Sequence, residues 1–190
     1  MMNIYDEYPE KVTANGRVYA LNLAYDRVLR CIDTEDEPGL MTADKRVIQC
    51  AWLLENTDDI PETAQEQAEL LKAVFELFPK SEEKTGERCI DFHQDAAMIR
   101  SAFFRIGVDL TRDKIHFLQF MELLADLPQD TALMRTIEIR QRPIPKPTKD
   151  NAEQIAALQK AKARVAIHVS EEERRRRFAE SLKNSTLLRG

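Results

Sequence analysis

The chain has 190 residues, of which 43% are hydrophobic and 32% are charged, which is enough for one globular domain and an extension. Its formal net charge of −5 at pH 7 excludes a general electrostatic attraction to nucleic acid or to an acidic membrane surface. Its polar start lacks a signal-peptide core, and no apolar run reaches the roughly 20 residues that span a bilayer, so we expect a soluble, intracellular protein.

The first predicted element is a small N-terminal β-hairpin. Two short strands, 12–14 and 17–19, flank Asn15-Gly16, the pair that best tolerates the positive φ angles of a two-residue turn. In this register Val12 lies opposite Tyr19. An isolated hairpin is marginal in water, so we expect it to pack on a helical body. Alternatively, its free edge adds a strand to a partner.

Three amphipathic helices are predicted between the hairpin and residue 80. The first carries Tyr25 and Val28 on its apolar face and ends at the acidic segment 33–37. The second begins after a cap at Thr42, whose hydroxyl can accept from an unpaired amide. The third has Pro61 in its first turn, where the missing amide hydrogen is harmless.

The centre of the chain reads as three further helices in close succession, 91–106, 112–127 and 131–140. Gly107 can adopt the left-handed conformation that ends the first helix. Thr111 is predicted to cap the second, and Asp130 the third. The middle helix is apolar around most of its circumference, so neighbouring elements must cover it on several sides.

The character of the chain changes after residue 141. We predict a mainly α protein made of a compact helical core domain with its hairpin at 1–141, a Pro-rich linker at 142–150 and a C-terminal helical tail at 151–190. The tail helix carries a narrow apolar stripe. It can cover one shallow groove on its own domain, on another copy or on a different protein. The stripe consists of Ile155, Leu158, Val165 and Val169.

Four consecutive arginines, 174–177, invite a nucleic-acid interpretation. However, glutamates precede three of them by four residues in the favourable i,i+4 orientation, and these pairs neutralise much of the local field. A solvated helix face is therefore favoured over a phosphate-binding site.

The sequence predicts no catalytic, cofactor or metal site. His93 lies between Asp91 and Asp95, but alternating residues of a helix point to different faces, so these three cannot share one ion. His116 falls within an apolar arc and is interpreted as a partly buried structural residue. The three cysteines form no CxxC pair, and no phosphate loop or nucleophile elbow is present. We therefore expect a protein that is not an enzyme.

Several motifs resemble the bacteriophage gene product 15 family. The resemblance covers most of the chain and is strongest between residues 91 and 140. Its motifs are Tyr8-Pro9-Glu10-Lys11-Val12 with Asn15-Gly16 and Tyr19; Asp91-Phe92-His93-Gln94-Asp95-Ala96 with Ile99, Phe103 and Phe104; Gly107-Val108-Asp109-Leu110; the 116–124 helix; Leu127-Pro128-Gln129-Asp130-Thr131; Ile139-Arg140; and Lys160-Ala161-Lys162.

The resemblance implies a tail assembly chaperone of long-tailed phages. Such a protein coats the tape-measure protein, helps tail-tube subunits polymerise around it, acts in the host cytoplasm and is absent from the finished virion. The predicted partner-binding residues are the tail stripe together with any uncovered part of Phe104, Phe117 and Phe120. The alternative for these phenylalanines is internal core.

Two rival functions stay open at this point. One is a structural tail or adaptor component that remains in the virion. The other is a helical regulator that binds nucleic acid through residues 174–177. Self-association is possible in either case, and no membrane partner is expected.

Overall fold

The computed structural model describes residues 5–79, 88–148 and 151–168. Within them the fold is mainly α with one two-stranded antiparallel hairpin, as predicted. The elements are β1 Lys11–Ala14, β2 Arg17–Ala20, α1 Tyr25–Glu35, α2 Thr42–Leu53, a 3-10 turn Thr57–Asp59, α3 Ala64–Phe75, α4 Ala96–Arg105, α5 Phe117–Ala125, α6 Ala132–Gln141 and α7 Ala152–Val165. The predicted arginine-rich face at 174–177 and Val169 lie outside the described residues.

The hairpin has the predicted register, with Val12 opposite Tyr19. Asn15 and Gly16 adopt φ angles of 53° and 72°, which the tight turn requires. The hairpin packs on the helical body through α3, where the Asn15 side chain donates to Glu66 O at 3.0 Å. This contact supplies the support that a two-stranded hairpin lacks alone.

Two of the predicted helix starts before residue 80 are wrong. Met41 occupies the N-cap of α2, so Thr42 is already its first helical residue. Thr63 caps α3 and forms a reciprocal capping box with Glu66, which places Pro61 ahead of the helix and outside its first turn. Because the capping box satisfies two amides that would otherwise be unpaired, it determines where α3 begins.

The start of α5 is also displaced from the prediction. The helix begins at Phe117, and its N-cap is His116 where Thr111 was expected. The segment just before it pairs with the backbone that precedes α1, since Tyr25 N donates to Ile115 O at 3.0 Å. This tertiary pairing draws the segment away from helical geometry despite its apolar spacing.

The neighbouring helices show one confirmed boundary and two corrected ones. Gly107 has a φ of 87° just after α4, which confirms the left-handed stop. However, α4 begins at Ala96 and not at residue 91, and Thr131 caps α6 where Asp130 was predicted. The Thr131 hydroxyl accepts from Met134 N at 3.2 Å.

Backbone contacts divide the chain into two compact units. Unit 1 comprises Met1–Thr85 and Phe103–Leu127, and unit 2 comprises Gly86–Ala102 and Pro128–Gly190. The predicted domain boundaries at 141 and 151 stay a prediction, while the contacts group α7 with α6 and the segment leading into α4.

An aromatic stack forms the core of unit 1. The ring of Phe120 lies 5.0 Å from the ring centroids of both Tyr25 and Phe103, and Phe103 is completely buried. Because α1, α5 and the end of α4 each contribute one ring, this stack joins elements that are far apart in sequence.

Arg27 of α1 closes the C-terminal end of α2. Its guanidinium donates to the carbonyl oxygens of Ala51, Trp52 and Leu54 at 2.9, 2.7 and 3.1 Å. The last carbonyls of a helix lack partners within the helix and carry partial negative charge, so a cation at this position satisfies both needs.

Candidate protein-interaction site

The three candidate phenylalanines lie in different environments. Phe104 on α4 is 70% exposed, whereas Phe117 is 9% and Phe120 is 1% exposed. The burial of Phe117 and Phe120 agrees with the core alternative and leaves little of either side chain accessible. Of these three phenylalanines, Phe104 offers a large apolar face to a partner, and its contact with one stays a prediction.

The tail stripe is docked on its own chain. Ile155, Leu158 and Val165 of α7 are half-buried, and α7 packs against α6. Val169, the fourth member of the predicted stripe, lies outside the described residues. Of the three locations open for this helix, the structure shows it on its own chain.

Arg140, near the end of α6, joins three segments of unit 2. Its two terminal nitrogens donate to the two carboxylate oxygens of Asp95 at 2.6 and 2.9 Å. It also donates to Cys89 O at 2.8 Å and to Val165 O at 2.6 Å. The Asp95 side chain is fully buried and that of Arg140 is 8% exposed. Such a planar, charge-assisted fork fixes both position and orientation.

A turn at the entrance of α4 presents Asp95 to this arginine. Asp91 N donates to the Asp95 carboxylate at 3.0 Å, and Asp95 N donates back to Asp91 O at 2.9 Å. Burial raises the pKa of Asp95, but the hydrogen bonds from Arg140 and Asp91 and the charges of Arg140 and Arg88 outweigh it, so the pKa is lowered. Asp95 is therefore an ionised carboxylate within the protein.

Gln94 and Arg140 grip the C-terminal end of α7, and we call this pair the α7 clamp. The Gln94 amide donates to Ala166 O at 2.8 Å and accepts from His168 N at 2.9 Å. In the opposite direction, Lys162 of α7 donates to Arg140 O at 2.7 Å. Each helix thus has a C-terminal carbonyl satisfied by a basic side chain of the other.

His116 has the structural role that was predicted for it. Its Nδ1 accepts from Leu118 N at 3.1 Å and caps α5, while its ring stacks on Tyr8 at 4.8 Å. Burial lowers the pKa of His116. A neutral imidazole accepting at Nδ1 carries its proton on Nε2, which faces Pro9 O at 3.3 Å.

The two buried thiols, Cys31 and Cys50, are core residues. Burial raises the pKa of Cys31 to about 12 and that of Cys50 to about 11, which leaves both as protonated core residues. Among the described residues, no group of three or more His, Cys, Asp or Glu side chains could hold a metal ion.

A groove of about 270 Å³ lies beside α1. The Thr34 hydroxyl in it donates to Arg30 O at 2.8 Å, so it is engaged within α1. The groove is lined by Arg30, Asp33, Thr34, Glu37, Leu40 and Trp52.

Sequence reasoning missed the buried pair of Asp95 and Arg140. It considered Asp95 only as a possible metal ligand beside Asp91 and His93, and the arginine lies 45 positions away. One signal could have pointed to it. Both residues fall in motifs that carry the family resemblance. The motif at 160–162 also supplies Lys162 of α7, which donates a hydrogen bond to Arg140 O.

Comparison with known proteins gives one match. The family model described as bacteriophage Gp15 protein matches residues 4–167. Neither the curated proteins nor the solved structures contain a significant match to the chain. In the part of the chain that the structure describes, every helix is too short or too polar to cross a membrane.

Proposed function

The chain belongs to the bacteriophage Gp15 protein family, and from that premise we propose that it is a tail assembly chaperone. It is non-enzymatic and binds the tape-measure protein and tail-tube subunits while the tail is assembled in the host cytoplasm. The observation that carries this proposal is the family match over residues 4–167, which includes every motif of the sequence resemblance.

The exposed ring of Phe104 supports the proposal physically. A long helical client presents apolar stripes until the tube encloses it, and a protruding aromatic side chain can cover part of such a stripe. Many copies with weak individual contacts bind one long client by avidity and can be removed when tube subunits replace them.

Co-expression with a tape-measure protein from the same phage genome tests the proposal. We expect a complex that purifies together and an increase in soluble tape-measure protein. Phe104→Gln should weaken the complex, whereas Met41→Gln, on a side chain that is 72% exposed, serves as the matched control. Absence of both the complex and the gain in solubility would refute the chaperone proposal.

The same partners also fit a structural tail component, which is the second candidate. A chaperone is absent from purified particles, whereas a structural component is retained at fixed stoichiometry. Mass spectrometry of purified virions therefore separates the two. A nucleic-acid regulator would instead show DNA binding that falls steeply with salt and is lost when arginines 174–177 become glutamine.

A further inference from the structure

The α7 clamp contacts the main chain of its ligand. Arg140 donates to Val165 O, and Gln94 bonds Ala166 O and His168 N. None of these three contacts uses a side chain of the α7 end. The clamp therefore recognises the geometry of a helix terminus, while Lys162 and the half-buried apolar stripe of α7 supply further contact with α6.

The Arg140 half of the clamp is held by partners outside α7. Arg140 is oriented by both oxygens of Asp95 and by Cys89 O, and Asp95 is held in turn by Asp91 N. None of these partners belongs to α7. When α7 departs, the arginine remains aimed at the place that Val165 O occupied, so the site is preorganised for another helix.

The docking of α7 is separable from the rest of unit 2. No residue of α7 is fully buried, and every residue of 142–148 is exposed. Pro143, Pro145 and Pro147 favour an extended connection of roughly 3.1 Å per residue. A helix with few buried contacts on an extended tether can undock while its site stays folded.

We propose that the surface of α6 on which α7 packs, together with the α7 clamp, is an exchangeable helix site, which takes α7 from a second copy of this chain. The incoming helix makes the contacts that the resident α7 makes, because both have the same stripe and the same backbone end. A short tether gives the resident helix an effective concentration of about millimolar. Exchange between copies therefore increases as the protein concentration approaches that value. The exchange requires no client protein.

Isotope mixing of the full-length chain tests the exchange directly. Unlabelled and heavy-isotope-labelled chains are mixed in equal amounts from about micromolar to about millimolar concentration. A photo-crosslinker anchored on the exposed Lys160 then captures whatever lies beside α7. A crosslinked pair of peptides, one from α7 and one from α6, is called mixed when one peptide is unlabelled and the other is isotope-labelled. Such mixed pairs form only between two copies of the chain. We expect the mixed fraction to rise with concentration.

Two test variants, each with a matched control, make the result specific. Leu158→Asp should eliminate the mixed pairs, whereas Ala157→Asp, at the exposed neighbouring position, should retain them. Gln94→Ala should reduce them without disturbing the buried pair of Asp95 and Arg140, and Gln129→Ala is its exposed control. The proposal is overturned if mixed pairs are absent at all the concentrations tested. Mixed pairs that persist in Leu158→Asp also overturn it, because the copies would then meet through another surface.

Discussion

Replacing Arg140 with methionine should selectively destabilise unit 2. The substitution removes four hydrogen bonds and leaves the fully buried Asp95 carboxylate without its counter-charge. Breaking one side of a buried ion pair costs about 3–5 kcal/mol. We expect the lower part of that range, because Asp91 N still donates to the remaining carboxylate. Such a loss is a large share of the 5–15 kcal/mol that typically holds a domain folded.

Hydrogen exchange measured segment by segment is the appropriate assay, since it reports on each unit separately. Arg140→Met should accelerate exchange in α6 by at least about 100-fold, because each 1.4 kcal/mol corresponds to a factor of ten. Arg142→Met is the matched control. Arg142 lies on the same helix end and pairs with Glu138 at 2.7 Å on the exposed surface, where such a pair contributes about 0.3–0.5 kcal/mol.

A double variant separates the charge from the side chain. Combining Arg140→Met with Asp95→Asn removes both charges, so it should be less destabilising than Arg140→Met alone. If Arg140→Met exchanges within tenfold of the wild type, or no faster than Arg142→Met, then the buried pair does not hold unit 2 together as the geometry indicates.

Three further predictions concern unit 1. The pKa of His116 is lowered in the folded state, so the unfolded chain binds a proton at this residue first as pH falls. The free energy of unfolding should therefore decrease as pH drops below about 6.5. The variant His116→Asn, which can still cap α5, should flatten this pH dependence when it is measured by urea titration. Gly107→Ala should lower the free energy of unfolding by about 1–2 kcal/mol because of its φ of 87° alone, since the added Cβ would meet no atom within 4 Å. Gly39→Ala is the control, because this position is equally open and has no positive φ, and it should leave the denaturation midpoint nearly unchanged. Phe103→Ala should lower the free energy of unfolding by about 3–5 kcal/mol, because it opens a cavity in the core. The adjacent Phe104→Ala should lower it only slightly, because that ring is exposed. Equal losses would contradict the burial assigned to these two rings.

Local chemistry carried most of the correct predictions. The hairpin register follows from Asn15-Gly16, and the stop after α4 follows from Gly107, because in both places the required backbone conformation admits few residue types. Helix starts were harder to predict, since several capping residues lie near each one. At α3, for example, Thr63 rather than Pro61 marks the start, through its reciprocal bonds with Glu66.

The features that sequence reasoning missed depend on distant partners. His116 caps α5 because the preceding segment pairs with the backbone before α1, which no local pattern encodes. The ion pair of Asp95 and Arg140 likewise joins residues from two different helical regions. Of the candidate contact residues, the apolar spacing alone could not distinguish the exposed Phe104 from the buried Phe120.

The single tryptophan has a practical consequence for anyone studying this chain. Trp52 lies in unit 1, with the guanidinium carbons of Arg27 and Arg30 at 5.9 and 5.3 Å from its ring centroid. Its emission will therefore follow the melting of unit 1 and stay silent about the C-terminal helices. A fluorescence screen alone would pass variants whose far-ultraviolet circular dichroism already shows lost helix.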